Sequence, residues 1–341
     1  MLLRVSHETR LNYTAPVSET VFEVRMAPPS NEDQTSMGYN LRISPQAPVT
    51  SYRDGFSNRV DLFNVATFYK ELAILATSYV RTHRRSGLER LNGVEWPEDG
   101  AGMDAIEAAE FSQHSPLVNK SPALTAFVSE LPKPSGALAG VVRSLMEAVR
   151  NRIKFERKVT SANTPVSEAL DLGCGVCQDF AHLFIGACRG VGLPARYVSG
   201  YINETGEIAT HAWAQFWAGP KVGWVDVDPT RNDFVADGHV LTAVGRDYSD
   251  VPPNRGLWKG RAEETMNVVV KVEAIDRIPM EWNEWAPMGL RPGSSSFSQF
   301  QSQRMGSSVQ TQRSSRSPYP NQRSARSGLH QQQGQQQQQQ K

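Results

Sequence analysis

The chain has 341 residues, 39% of them hydrophobic and 21% charged, with a formal net charge of +1. With seven tryptophans it has material for a substantial core, in two domains or in one with an extension. Three cysteines are too few for a disulfide scaffold, and no apolar stretch approaches the length of a membrane span.

Residues 1–85 read as β-rich. Leu2 to Tyr13 and Val21 to Met26 alternate or carry strand formers, and Thr50 to Phe63 sets Asp54-Gly55 between two strand-like runs, a hairpin signal. Leu72 to Arg81 is a further strand candidate, although its LAILA segment also suits a helix. The opening MLLRVSHETRLNY carries Arg4, Glu8 and Arg10 and no apolar run, so it does not read as a signal peptide. A reducing cytoplasm is therefore the expected compartment.

Residues 86–135 read as a connecting region, with short helices at Met103–Ser112 and Ala123–Leu131 and breakers at Glu98-Asp99-Gly100 and Pro132–Gly136. Ala137 to Lys158 is the longest helical pattern, with Val141, Leu145, Met146, Val149 and Ile153 on one side. Thr164 then reads as an N-cap and Pro165 as the first residue of a short helical turn.

That turn leads into LGCGVCQDFAHLFIGACRGVG, residues 172–192. Phe180, Ala181, Leu183, Phe184, Ala187 and Cys188 recur at helical spacing, and Gly192-Leu193-Pro194 ends the run. Cys177 falls in the first turn, where unpaired N–H groups and the helix dipole favour a thiolate and can hold an oxyanion. It is the candidate nucleophile.

Strands are expected next at Ala195–Ile202, Thr210–Phe216 and Gly223–Thr230, with a turn at 204–207 and a last strand over Asn267–Ile275. A helix followed by a run of antiparallel strands is an α+β pattern. His211 and an aspartate of the next strand, Asp226 or Asp228, can complete a Cys-His-Asp set. His211 would take the thiol proton and the aspartate would fix the imidazole. The 17-residue spacing from His211 to Asp228 suits opposite positions in an antiparallel pair, and the two aspartates share a face.

Blander readings stand beside these. Cys174 and Cys177 form a C-x-x-C that could be a redox pair, though this leaves His211 unexplained, and a zinc site lacks a second pair. Cys188 and His182 read as packing, His239 as structural or at a cleft edge, and Asp179 as a charge complementing the helix dipole. Trp213 is a better cleft candidate than Trp224.

From Arg291 to Lys341 the composition turns to Ser, Gln, Arg, Gly and Pro, and disorder is expected. This tail holds six arginines and one lysine and no acid, +7 in all, so the remainder of the +1 chain carries −6. Nucleic acid is therefore an unlikely partner beyond weak attraction to the tail.

The segments GVCQDFAHL, ARYVSGY, HAWAQF, GWVDVDPT and HVLTAVGRDYSDVPP closely resemble the bacterial transglutaminase-like superfamily, often described as cysteine proteases. The resemblance runs over roughly residues 1–275 and is dense from 160 to 256. It implies a papain-like α+β core at 136–276, with the cysteine helix packed on an antiparallel sheet, preceded by the small β-rich domain of the bacterial family at 1–85. It implies Cys177 as nucleophile, His211 as general base and Asp228 as orienter. Asp228 is preferred to Asp226 because the family pattern is G-W, three residues, D, any residue, T. The better-known transglutaminases also hold the oxyanion with a tryptophan upstream of the cysteine, and this chain has none between Trp96 and Cys177.

The expected function is thiol-dependent chemistry on peptide or side-chain amides through a thioester, without cofactor or metal and without a membrane partner. Water as acceptor gives a peptidase or amidase, favoured by the resemblance to the bacterial branch. A lysine amine gives a protein-glutamine gamma-glutamyltransferase, and loss of activity would leave a binding or scaffold module. A self-crosslinking role for the Gln-rich tail is a further idea.

Overall fold

The computed structural model describes residues 1–96, 102–204, 210–280, 282 and 330–333. Its elements run β1 Leu2–Val24, β2 Gln34–Ser44, β3 Val49–Arg53, β4 Arg59–Val65, β5 Tyr69–Thr82, α1 Gly87–Arg90, α2 Ala105–Ser112, α3 Pro122–Ser129, α4 Leu138–Arg152 and β6 Lys154–Phe155. They continue through α5 Val166–Leu172, β7 Cys174–Gly175, α6 Cys177–Gly190, β8 Ala195–Ile202, β9 Thr210–Trp217, β10 Trp224–Asp228, β11 Asp233–Phe234, β12 His239–Gly245, β13 Asn254–Lys259, β14 Glu264–Ala274 and β15 His330–Gln333.

The N-terminal region is β-rich, as its alternation requires. Leu3, Val5, His7, Thr9, Leu11 and Tyr13 of β1 all face inward, the period of two that a half-buried strand needs. The first half of β1 pairs with β5 and β14, and the second half, past Pro16, pairs with β4 and β13. Pro16 falls where the β5 ladder breaks, between Asn12 and Val17, because proline has no N–H to donate. Leu11, Phe22, Phe63, Leu72, Ile74 and Trp258 fill the space between the two halves. The Asp54-Gly55 hairpin forms as expected, joining β3 to β4.

The α+β core follows. Its sheet is antiparallel throughout, in the order β11-β10-β9-β8-β12, and α6 lies against it. Every residue of α6 from Gln178 to Arg189 is buried, as befits a helix enclosed on all sides. Several of its polar side chains find partners across the fold. Arg189, for instance, donates to the carbonyls of Phe111, Ala195 and Arg246.

Two helix boundaries differ from the sequence expectation. The long helix stops at Arg152 rather than Lys158, because Lys154 and Phe155 pair in parallel with Cys174 and Gly175. The turn before the cysteine begins at Val166, with Pro165 in the capping position, and the Thr164 hydroxyl accepts from the Ser161 N–H instead.

The edge of the core sheet is covered by side chains from the β-rich region. On β12, the Gln34 amide donates to the Leu241 carbonyl and accepts from its N–H, each at 2.9 Å. The Asn58 amide does the same for Val244 at 2.8 Å. Two amides thus satisfy backbone groups that a neighbouring strand would otherwise take. Residues 1–277 form one compact unit. The expected turn at 204–207 lies outside the described residues beyond Glu204, as does the tail from 291 apart from β15, whose backbone pairs with β13.

Candidate active site

The cysteine loop is built by local rules. Gly173, at φ 69°, ends α5 in the left-handed conformation that only glycine adopts freely. Val176 is extended, and Cys177 is the first residue of α6, as expected. Asp179, one turn in, holds the loop. Its Oδ2 accepts from the Val176 N–H and from the Thr160 hydroxyl, both at 2.7 Å. Burial raises its carboxyl to about 6 against the pull of these bonds. Asp179 therefore supports the loop as well as complementing the helix dipole. Thr160 carries no sequence signal that could have pointed to this.

The structure brings Cys177, His211 and Asp228 together. Cys177 and His211 line the same cavity, and the thiol is among the groups that raise His211. His211 Nε2 donates to Asp228 Oδ2 at 2.6 Å, which leaves Nδ1 as the ring nitrogen outside that bond. Burial works against the imidazolium, but the Asp228 bond and the cysteine outweigh it and raise His211 to about 10. Burial likewise opposes the Asp228 charge, and the bond from His211 overrides it, holding the carboxyl well below its usual range. Asp228 Oδ1 accepts from the N–H groups of Thr230 and Arg231, at 3.0 and 3.2 Å, so the Asp-Pro-Thr turn fixes the carboxylate plane. The pair is not straight across the ladder. Val227 is the partner of Ala214, so Asp228 reaches His211 diagonally.

Asp226 and Asp228 share a face but not a role. Asp226 Oδ1 accepts from Trp213 Nε1 at 2.6 Å, and its Oδ2 pairs with Arg84 at 3.0 Å. Trp213 is fully buried and does not reach the cleft; its ring stacks behind the His211 imidazole, with centroids 6.2 Å apart. Trp224 lies under the Arg196 guanidinium, away from the site.

His239 is nearer the chemistry than its sequence suggests. Its Nε2 lies 3.5 Å from Asp228 Oδ2, and its ring packs edge-on to Trp213. The one available signal is that β12 returns beside β8, which a single sequence does not reveal. His182 is packing, as expected, with Nε2 accepting from the Tyr248 N–H. Cys188 is buried in the core. Cys174 sits in β7, its thiol pushed up by burial and by Glu156, the opposite of what a redox-active thiol needs.

Among the described residues, His211, Asp228 and His239 are grouped closely enough to hold a metal, their donor atoms within 4.8 Å of one another. The donor types suit zinc, but the arrangement does not. Arg231 Nε stands 3.3 Å from the same Asp228 oxygen, and the 2.6 Å His211 contact is shorter than two ligands on one tetrahedral ion allow.

A cavity of about 350 Å³ opens beside the cysteine, lined by Cys177, Tyr197, Ser199, His211, Ala212 and Tyr248 among others. Arg231 at its rim is ion-paired with Glu204.

The chain is similar to known proteins. Residues 125–229 match the transglutaminase-like superfamily, and residues 3–81 match the bacterial transglutaminase-like N-terminal region. An uncharacterised protein of Mycobacterium leprae is 30% identical over 285 residues, covering 80% of this chain and 99% of its own. One from Mycobacterium tuberculosis is 32% identical over 299 residues, covering 82% and 93%. A crystal structure from Cytophaga hutchinsonii, provisionally described as a cysteine protease, has the same fold, with a TM-score of 0.66 at 22% identity over 82% of this chain and 93% of its own. No helix among the described residues is long and apolar enough to cross a membrane.

Proposed function

This chain belongs to the transglutaminase-like superfamily, and from that premise we propose that it is a cysteine peptidase or amidase that cleaves peptide or side-chain amides through a thioester on Cys177. The observation that carries the reading is the His211–Asp228 pair, 2.6 Å apart, beside Cys177 at the wall of one open cavity.

His211 takes the thiol proton at Nδ1, while Asp228 keeps the other proton on Nε2 and stabilises the resulting imidazolium. The thiolate attacks the amide carbon, the amine leaves with the proton from His211, and water releases the acid. No residue near Cys177 is needed to bind a cofactor for these steps. Family membership in the bacterial branch favours water as acceptor. The cytoplasm is the proposed compartment, and a protein or peptide the proposed substrate.

The test is the pH dependence of iodoacetamide alkylation, read cysteine by cysteine in wild type and His211→Ala. Cys177 should react fastest near neutral pH and slow by about tenfold or more without His211, since a free thiol is only a few per cent ionised there. A Cys177 rate indifferent to His211, or a faster Cys174, would sink the reading. Product analysis of a peptide amide with and without a labelled amine then separates hydrolysis from transfer.

A further inference from the structure

We propose that the Tyr197 hydroxyl, together with the Cys177 backbone N–H, holds the oxyanion formed when the cysteine attacks a carbonyl. The inference rests on the acyl-transfer reading above and supplies a donor where the chain has no tryptophan between Trp96 and Cys177.

The Cys177 N–H is the first of α6 and belongs to the group that a helix leaves without internal partners. One donor is rarely enough, and a second must lie across the cavity on a rigid support. Tyr197 meets that need. It stands on β8, the strand beside His211's own, with its side chain turned to the α6 face of the sheet. Its ring is clamped between His182, with centroids 5.0 Å apart, and Tyr248, at 6.2 Å. His182 is itself fixed by the Tyr248 N–H.

Only 2% of Tyr197 is exposed, yet it lines the cavity that holds Cys177, and its hydroxyl has no hydrogen-bond partner among the described residues. Buried tyrosine hydroxyls usually find one. The next tyrosine along the strand does so: the Tyr201 hydroxyl lies 3.0 Å from His7 Nδ1. An unpartnered hydroxyl on a residue that lines this cavity is a donor awaiting an acceptor. Burial, and then the nearby Cys177, push the phenol well above its usual range, so it keeps its proton.

In the step, the sulfur–carbon bond forms and the carbonyl π pair moves to oxygen, where Tyr197 and the Cys177 N–H receive it. The pair then returns, the carbon–nitrogen bond breaks, and the amine leaves with the His211 proton. Tyr197 donates a hydrogen bond throughout and loses nothing.

Tyr197→Phe in the full chain removes the hydroxyl and keeps the ring. Two rates are measured on Cys177: acylation by p-nitrophenyl acetate, followed by the burst of nitrophenolate, and alkylation by iodoacetamide. Acylation builds an oxyanion, whereas displacement at a saturated carbon does not. Acylation should fall on the order of 100-fold, with alkylation unchanged, which also shows that the variant is folded. Wild-type acylation in Tyr197→Phe would overturn the proposal. So would a parallel fall in both rates, which marks a structural role, or an acyl-selective loss in Ser199→Ala with none in Tyr197→Phe. Failure of the underlying reading is separately visible, because alkylation would then not depend on His211.

Discussion

Trp213 Nε1 donates to Asp226 Oδ1 at 2.6 Å, and this bond divides the labour between the two aspartates of β10. With Asp226 bound to the tryptophan and to Arg84, Asp228 alone is left to face His211. Asp228→Asn should therefore slow acylation of Cys177 by on the order of 10²- to 10⁴-fold, because an amide does not favour the same imidazole tautomer. Asp226→Asn should instead lower stability. It weakens an ion pair whose side chains are each 4% exposed. The cost approaches about 3–5 kcal/mol and is reduced because Asp33 also reaches Arg84. Burst kinetics and urea unfolding on the two variants separate the effects; a catalytic loss in a fully stable Asp226→Asn would contradict this division.

Stability should depend on pH in a defined direction. His211 rises in the folded chain from 6.5 to about 10, so its contribution is full below pH 6.5 and is lost as pH climbs towards 10. Asp228 is lowered from 3.8, so its contribution is present above that value and is lost in stronger acid. The pair should thus stabilise most between about pH 4 and 6.5. Urea midpoints across pH 4–10 should decline above 6.5 in wild type and flatten in His211→Gln.

The amides that cover β12 can be tested one at a time. Asn58→Ala leaves the N–H and carbonyl of Val244 without their 2.8 Å partners, and Gln34→Ala does the same at Leu241. Each should cost about 1–3 kcal/mol per buried group left unpaired. Amide hydrogen exchange should accelerate at Val244 in the first variant and at Leu241 in the second. Equal exchange in both would mean that the edge opens as one piece.

Gly175 has no room for a methyl group. A Cβ there would lie 2.5 Å from Asp179 Oδ2 and 2.6 Å from Asp179 Cβ. Gly175→Ala must displace Asp179 and with it the bonds to Val176 and Thr160. The Cys177 alkylation rate should fall even though no group of the Cys-His-Asp set has been altered.

Much of this site was legible in the chain. Cys177 announced itself by its place at the head of an apolar helix, and His211 and Asp228 by lying on successive strands with a turn after the second. What spacing could not supply was the choice between Asp226 and Asp228. Both face the same way, and the decision rests on Trp213 and on Arg84 from a distant part of the chain. His239 and Tyr197 were obscure for a similar reason. Their places beside the site come from which strand lies beside which, and a single sequence carries no record of that pairing. The boundaries of α4 and α5 shifted because non-local pairing of Lys154 and Phe155, and a Ser161–Thr164 turn, overrode the local helical signals.

The first strand has a consequence for how the protein is made. β1 can pair with β5 once residue 82 has been synthesised, but its other neighbour, β14, ends at Ala274 and pairs there with Leu3. At about 5–20 residues per second the ribosome needs roughly 10–40 s to add the intervening chain. Throughout that interval one edge of β1 stays open, a row of unsatisfied backbone groups on a nascent polypeptide. The core sheet and its cysteine helix emerge within the same interval. The cysteine-bearing core can thus fold while β1 still lacks its β14 neighbour.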